Sequence, residues 1–280
     1  MKLAHLILAH TQPLQLERLI GKLQYENAHF YIHIDQKTDI DPFLFLADKP
    51  NVFFIKNRVR VFWGGYSIVQ ASINSFEQIL ASGEQYDYIN LLSGQDYPIK
   101  STAYIHRFLD ENRGKIFMHF LSVTDEWHEA IPRFTKYHLS NFNFKGRYSI
   151  EHILNTLLPQ RQLPKQLILV GRSQWFTASL QSISYIVRHL KEHPEMVKYF
   201  KLTWAPDESI FQTILYNSDF KKDMVNDNLL YIDWSEGGAR PKELTIKDEQ
   251  ILSGSPRLFA RKFNIQRDTE ILDYLDKFTS

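Results

Sequence analysis

An α/β fold built on a mostly parallel sheet flanked by helices is the class this sequence predicts, on three observations. Short apolar runs of strand length recur at residues 3–9, 28–35, 51–55 and 86–92. Segments with helical spacing separate them, at residues 13–23 and 66–80. That alternation is the pattern of parallel strands joined by helical crossovers. Polar residues gather where the runs end: His10 and Thr11 after the first, Asp35 and Lys37 after the second, and Ser93, Gly94, Gln95 and Asp96 after the last. In open α/β sheets ligands bind beyond those strand ends.

The first run, LAHLILA, is broken only by His5, as expected of a strand buried on both faces. Pro13 suits the first position of the helical segment after it, where a missing amide costs nothing. Within AHFYIHID, alternation puts Tyr31, His33 and Asp35 on one face and Ile32 and Ile34 on the other. The WGG turn at 63–65 leads into the helical segment 66–80, and YDYINLL at 86–92 stops abruptly at SGQDYP. Later, residues 167–170 return to a strand pattern and 177–190 to a helical one. LLYIDW reads as a strand before Gly237 and Gly238, and residues 269–278 close the chain as a helix.

Residues 126–172 differ in character. Seven bases (Arg133, Lys136, Lys145, Arg147, Arg161, Lys165 and Arg172) stand against Glu126, Glu129 and Glu151, with aromatic residues interleaved. Two readings stand side by side: a solvated loop with snorkelling side chains, or an insert that binds an acceptor or faces a membrane.

Composition removes several function classes. The 280 residues, 44% of them hydrophobic, suffice for one large core or two small ones. A net charge of +1 argues against bulk electrostatic binding to nucleic acid. The absence of cysteine excludes disulfides, thiolate nucleophiles and cysteine-based zinc sites. No apolar run approaches the roughly 20 residues that span a bilayer. The N-terminus reads as a core strand rather than a signal peptide, so the cytoplasm is the expected location. Neither GxGxxG nor GxxxxGK[ST] occurs, which leaves dinucleotide and P-loop chemistry unsupported.

WAPDESIFQTIL, at residues 204–215, carries two adjacent carboxylates at a helix start. Pro206 fits the first helical position, and acids in a first turn complement the helix dipole. On a helical wheel Ile210, Phe211, Ile214 and Leu215 form an apolar stripe, with Asp207 inside it and Glu208 at its edge. Both acids are therefore steered towards the protein. They read either as stabilisers of the helix end or as the holders of a general base at a pocket.

Seven segments in order resemble the core-2/I-branching β-1,6-N-acetylglucosaminyltransferases and the related peptide O-xylosyltransferases. They are IHIDQK (32–37), VFWGGYSIVQA (61–71), INLLSGQDYPIK (89–100), GRSQWF (171–176), WAPDESIFQTIL (204–215), YIDW (231–234) and LFARKF (258–263). The resemblance implies a GT-A type fold in one continuous domain over residues 1–280. Residues up to about 120 would form its nucleotide-sugar half, and the remainder its acceptor-binding and catalytic half. It further implies inverting transfer from a UDP-sugar without a metal or other cofactor. The glutamate of the PDE motif, Glu208, would be the base, with Asp207 and Trp175 on the substrate side. Cations near the C-terminus would receive the diphosphate: Lys262, with Arg240 or Lys242 upstream and Arg261 as a neighbour. Asp35 would contact the nucleotide with His10 nearby, and Asp96 would face the sugar or ribose.

Animal members are disulfide-rich and membrane-tethered, so a chain without cysteine or anchor fits a bacterial cytoplasmic enzyme of surface polysaccharide synthesis. Its acceptor would be a glycan or a lipid-linked glycan, and peripheral contact with the inner face of the membrane fits such an acceptor. Three rivals remain open: UDP-xylose as donor, a sugar- or nucleotide-binding protein without turnover, and a metal-dependent transferase using Asp39 and Asp41, the one Asp-x-Asp spelling that the sequence offers as a metal site.

Overall fold

The computed structural model describes residues 1–162 and 167–279, so Lys165 of the basic middle segment lies outside the described residues. Strand β1 (Leu3–Ala9) leads to α1 (Pro13–Leu23), β2 (Ala28–Ile34), β3 (Val52–Phe54), α2 (Ser67–Ala81) and β4 (Tyr88–Ser93). Next come β5 (Asp96–Pro98), α3 (Thr102–Glu111), β6 (Ile116–Ser122), α4 (Ile131–Thr135) and α5 (Arg147–Leu157). The chain then forms β7 (Val170–Ser179), α6 (Leu180–Glu192), α7 (Pro194–Phe200), α8 (Ile210–Tyr216), β8 (Met224–Asn226) and β9 (Leu230–Ile232). It ends with α9 (Glu249–Gly254), β10 (Phe259–Arg261) and α10 (Glu270–Phe278).

The main sheet has the order β3-β2-β1-β4-β7-β6-β8. It is the expected mixed, mostly parallel α/β sheet flanked by helices. Strands β1 to β4 pair in parallel, as do β6 and β8. Strand β7 runs antiparallel to both its neighbours. Strand β1 lies between β2 and β4, so the order reverses there and the strand ends open a crevice.

Alternation sorts the core as expected. Ile32 and Ile34 pack on the face covered by α1, α3 and α10, and Tyr31 on the face covered by α2, α6 and α8. His5 is fully buried, stacked on Phe30 at 5.3 Å between ring centroids. Burial first, then neighbouring His106, pulls its pKa down to about 3, so the ring enters the core neutral.

Two expectations shift. The strand expected at residues 167–170 begins at Val170 and runs on to Ser179, and the helix expected from Thr177 begins at Leu180. Thr177 stays in the strand because its hydroxyl donates to Asn90 Oδ1 on β4 at 3.1 Å. Ser179 caps the helix, accepting the Ser182 amide at 3.3 Å. The helix expected from Pro206 is split. Pro206–Glu208 forms a single 3-10 turn, Ser209 breaks it at φ −145°, and α8 starts at Ile210.

A second sheet, β5-β10-β9, folds the C-terminus over the strand ends. Its register sets Arg261 opposite Asp96 on one side and Ile232 on the other. LFARKF and YIDW are thereby held next to SGQD. Among the described residues no helix is long and apolar enough to cross a membrane.

Candidate active site

A cleft of about 1030 Å³ lies beyond the carboxyl ends of the main-sheet strands. His10, Asp35, Trp175, Asp207, Glu208, Arg240, Arg261 and Lys262 all line it. Eight positions named from sequence thus meet in one place.

The PDE turn is fixed from three directions. The Ala205 amide donates to Gly64 O at 2.8 Å, tying the turn to WGG, where Gly64 holds a φ of +70° that favours glycine. Gln212 donates to Ser173 O at 2.5 Å, and Thr213 donates to Val170 O at 3.0 Å, tying α8 to β7. Gly171 of β7 passes so close that an added Cβ would stand 2.3 Å from Glu208 O and 2.7 Å from the Ser209 Cα. Gly171→Ala must therefore push this turn out of place. A stability loss of roughly 1–3 kcal/mol from overpacking is expected, read as a lowered melting temperature; an unchanged melting temperature would mean the turn yields without cost.

Within the turn the two acids part. Asp207 is buried, and its Oδ1 has no hydrogen-bond partner among the described residues. Burial first, then the neighbouring Glu208 charge, drives its carboxyl well above the ordinary aspartate range, which favours its neutral form. The Glu208 side chain is a third exposed and receives Arg133 Nη1 on Oε2 at 2.5 Å. The Arg133 guanidinium lies between two indoles, 4.7 Å from the Trp127 ring centre and 4.6 Å from that of Trp204. Trp63 meets Trp204 edge-on at 5.3 Å and stands two-thirds exposed at the mouth of the cleft.

On the opposite wall Asp35 accepts the amides of Lys37 at 2.9 Å and Val61 at 3.3 Å. His10 senses this wall. Enclosure lowers its pKa, Asp35 raises it, and Lys37, Lys262 and Arg240 lower it further. Lys262 is held 3.3 Å from Glu243. The Arg261 side chain is only 11% exposed and stacks over the Trp175 ring at 4.4 Å. Its Nε is 3.5 Å from Asp96 Oδ1, yet Nε and Nη1 have no hydrogen-bond partner among the described residues. Buried donors left open are costly, and an anion in the cleft would satisfy them.

Two positions sit elsewhere than the sequence reading puts them. Asp96 does not face the cleft. It is fully buried beneath Arg261 and accepts the Ser93 amide at 2.8 Å. Lys242 is absent from the lining because Asp248, at 2.6 Å, and Asp233, at 3.5 Å, hold it. Trp175 lines the cleft, but Arg261 covers a face of its ring, so Trp63 is the ring left open at the mouth. Asp39 and Asp41 lie outside the lining. The Asp39 carboxylate accepts the Asp41 amide at 3.1 Å, and Asp41 opens a 3-10 helix. Arg133 went unassigned in the sequence reading. Its signal was a base among aromatics in the middle segment, with nothing to tell it from its six basic neighbours there.

With this geometry in place, comparison with known proteins is informative. A family model described as Core-2/I-Branching enzyme matches residues 3–253. Xylosyltransferase 2 of Rattus norvegicus is 25% identical over 305 aligned positions, which cover 98% of this chain and 33% of that protein. Xylosyltransferase oxt of Drosophila pseudoobscura pseudoobscura is 28% identical, covering 79% of this chain and 24% of that protein. The chain thus spans about a third or less of the length of these relatives. Among solved structures, mouse xyloside xylosyltransferase 1 in its apo form aligns with a TM-score of 0.41 at 12% identity, covering 92% of this chain and 97% of that one. The family match takes in the whole main sheet and the whole PDE turn, and the chain belongs to the Core-2/I-branching enzyme family.

Proposed function

We propose that this chain is an inverting, metal-independent glycosyltransferase that moves N-acetylglucosamine from UDP-N-acetylglucosamine to a hydroxyl of a glycan or lipid-linked glycan, in bacterial surface polysaccharide synthesis. One observation carries the reading: a carboxylate on a fixed turn, Glu208, shares a cleft with a buried guanidinium, Arg261, whose Nε and Nη1 have no hydrogen-bond partner among the described residues. Glu208 takes the proton of the acceptor hydroxyl as that oxygen bonds to the anomeric carbon. The bond from that carbon to the UDP oxygen breaks on the opposite face, so configuration inverts. The departing diphosphate gains charge as Arg261, Lys262 and Arg240 meet it, the electrostatic task that a metal performs in other transferases. Burial of Asp207 beside Glu208 favours its neutral form, which limits a second negative charge beside the base.

UDP-xylose is the second reading, favoured by the names of the relatives, which are xylosyltransferases at 23–28% identity. A panel of UDP-sugars read by thermal shift separates the two, because a ligand that binds the folded state raises its melting temperature by mass action. UDP-N-acetylglucosamine is expected to give the largest shift and to turn over in excess chelator. A larger shift with UDP-xylose moves the donor to the second reading. Loss of turnover on chelation, restored by a divalent ion, would overturn metal independence. UDP binding without hydrolysis or transfer would leave a binding protein.

A further inference from the structure

Helix α5 carries its sides the opposite way round from a helix that packs on its own core. At about 100° per residue, Glu151 and Asn155 fall on one side and Ile150, Ile153 and Leu157 on the other. It is the polar side that faces the protein. Glu151 Oε2 accepts the Leu139 amide at 2.9 Å. Asn155 accepts the Tyr137 amide at 2.7 Å and donates to the Tyr137 carbonyl at 2.8 Å. The apolar side faces water, with Leu157 at 76% exposure, and no residue of the helix is buried. Phe142 and Phe144, in the loop before the helix, extend the exposed surface with aromatic rings.

Charge says what covers this face. Between residues 142 and 158 the sequence has one acid, Glu151, and that acid is turned inward onto backbone. The cations of the stretch are Lys145, which is exposed, and Arg147, whose guanidinium donates to Phe142 O and the Tyr148 hydroxyl. An apolar stripe with flanking aromatics, positive charge and no outward acid is the composition of a helix that lies in a lipid interface. A second copy of the chain suits it less well, because a two-fold contact would set these cations against themselves.

We infer that α5 and the loop before it dock this protein on a lipid surface bearing anionic headgroups. The docking face rides on the wall of the cleft. Asn141, beside Phe142, accepts the Ser67 amide at 3.1 Å directly after the turn that carries Trp63. A docked chain therefore presents the mouth of its cleft beside the headgroups. The inference concerns a surface and stands whether or not the transfer reaction is as proposed.

The purified chain is expected to co-sediment with vesicles of equimolar phosphatidylcholine and phosphatidylglycerol, less with phosphatidylcholine alone, and less again as salt screens the headgroups. Ile153→Glu combined with Leu157→Glu alters only outward side chains. It is expected to lower vesicle binding at least about tenfold with melting temperature and UDP binding unchanged. Wild-type chain that stays in the supernatant overturns the inference, as does a double variant that pellets like wild type. A dimer seen by light scattering and abolished in the variant, without vesicle binding by the wild type, also overturns it and assigns the face to a second copy.

Discussion

Glu208→Gln is expected to lower transfer about 10²- to 10⁴-fold, the range that a positioned general base contributes, with UDP affinity unchanged. The substitution is close to isosteric. Glutamine keeps a carbonyl oxygen for Arg133, which lies 2.5 Å from the glutamate between Trp127 and Trp204, so the turn has no reason to move. What is lost is the capacity to accept a proton. Asp207→Asn is the control. Burial favours the neutral form of Asp207, so its amide is expected to cost less activity than Glu208→Gln does, and it makes a second prediction on stability. The folded-state pKa of Asp207 is raised, so the folded chain holds a proton there that the unfolded chain releases. Its contribution to stability is fully present below the ordinary aspartate value and is lost as pH rises towards the raised one. Asp207→Asn should remove that slope, so that melting temperature falls less from acid to mildly alkaline pH than in the wild type. Transfer retained in Glu208→Gln, or lost equally in Asp207→Asn, would place the base elsewhere.

Where local chemistry decides conformation, the sequence was legible. Pro13 and the apolar run before it bounded β1 and α1 to the residue, and the alternation of AHFYIHI sorted β2 onto two faces of the sheet. The direction of a strand leaves no mark on its residues, so the antiparallel run of β7 could not be read from VGRSQWFTAS. Helix α5 was missed because its apolar stripe serves no core, and the surrounding basic, aromatic segment gave two readings of equal standing. Side-chain direction was the other gap. Asp96 and Lys242 were placed near the right backbone, but the Ser93 amide and Arg261 claim the first and Asp248 claims the second. Arg133 shows the same limit from the other side. Its partner lies 75 residues away, and only the folded chain puts a guanidinium, two indoles and a carboxylate in contact.

Arg261→Met is expected to weaken UDP binding about 100-fold and to reduce transfer at least as much. A charge-assisted hydrogen bond is worth about 1.5–3 kcal/mol, and each 1.4 kcal/mol is tenfold in affinity. Methionine fills much of the same space against Trp175, so the loss reports on charge and donors rather than on a cavity. Arg261→Lys keeps the charge without the planar fork and is expected to fall between the two. A structural role for the residue has its own signature. Burial holds the Asp96 carboxyl up at about 6, even with Arg261 beside it favouring the ionised form. Without that cation the folded-state pKa rises further. The folded state then keeps a proton that the unfolded state gives up above the ordinary aspartate range, so stability falls as pH rises through this window. The melting temperature of Arg261→Met should therefore drop below that of wild type between mildly acidic and neutral pH and approach it in acid. UDP affinity should stay low at acid pH too, where the stability difference has closed. An affinity that recovers there would make Arg261 a partner for Asp96 alone, and the diphosphate would have to be held by Lys262 and Arg240 without it.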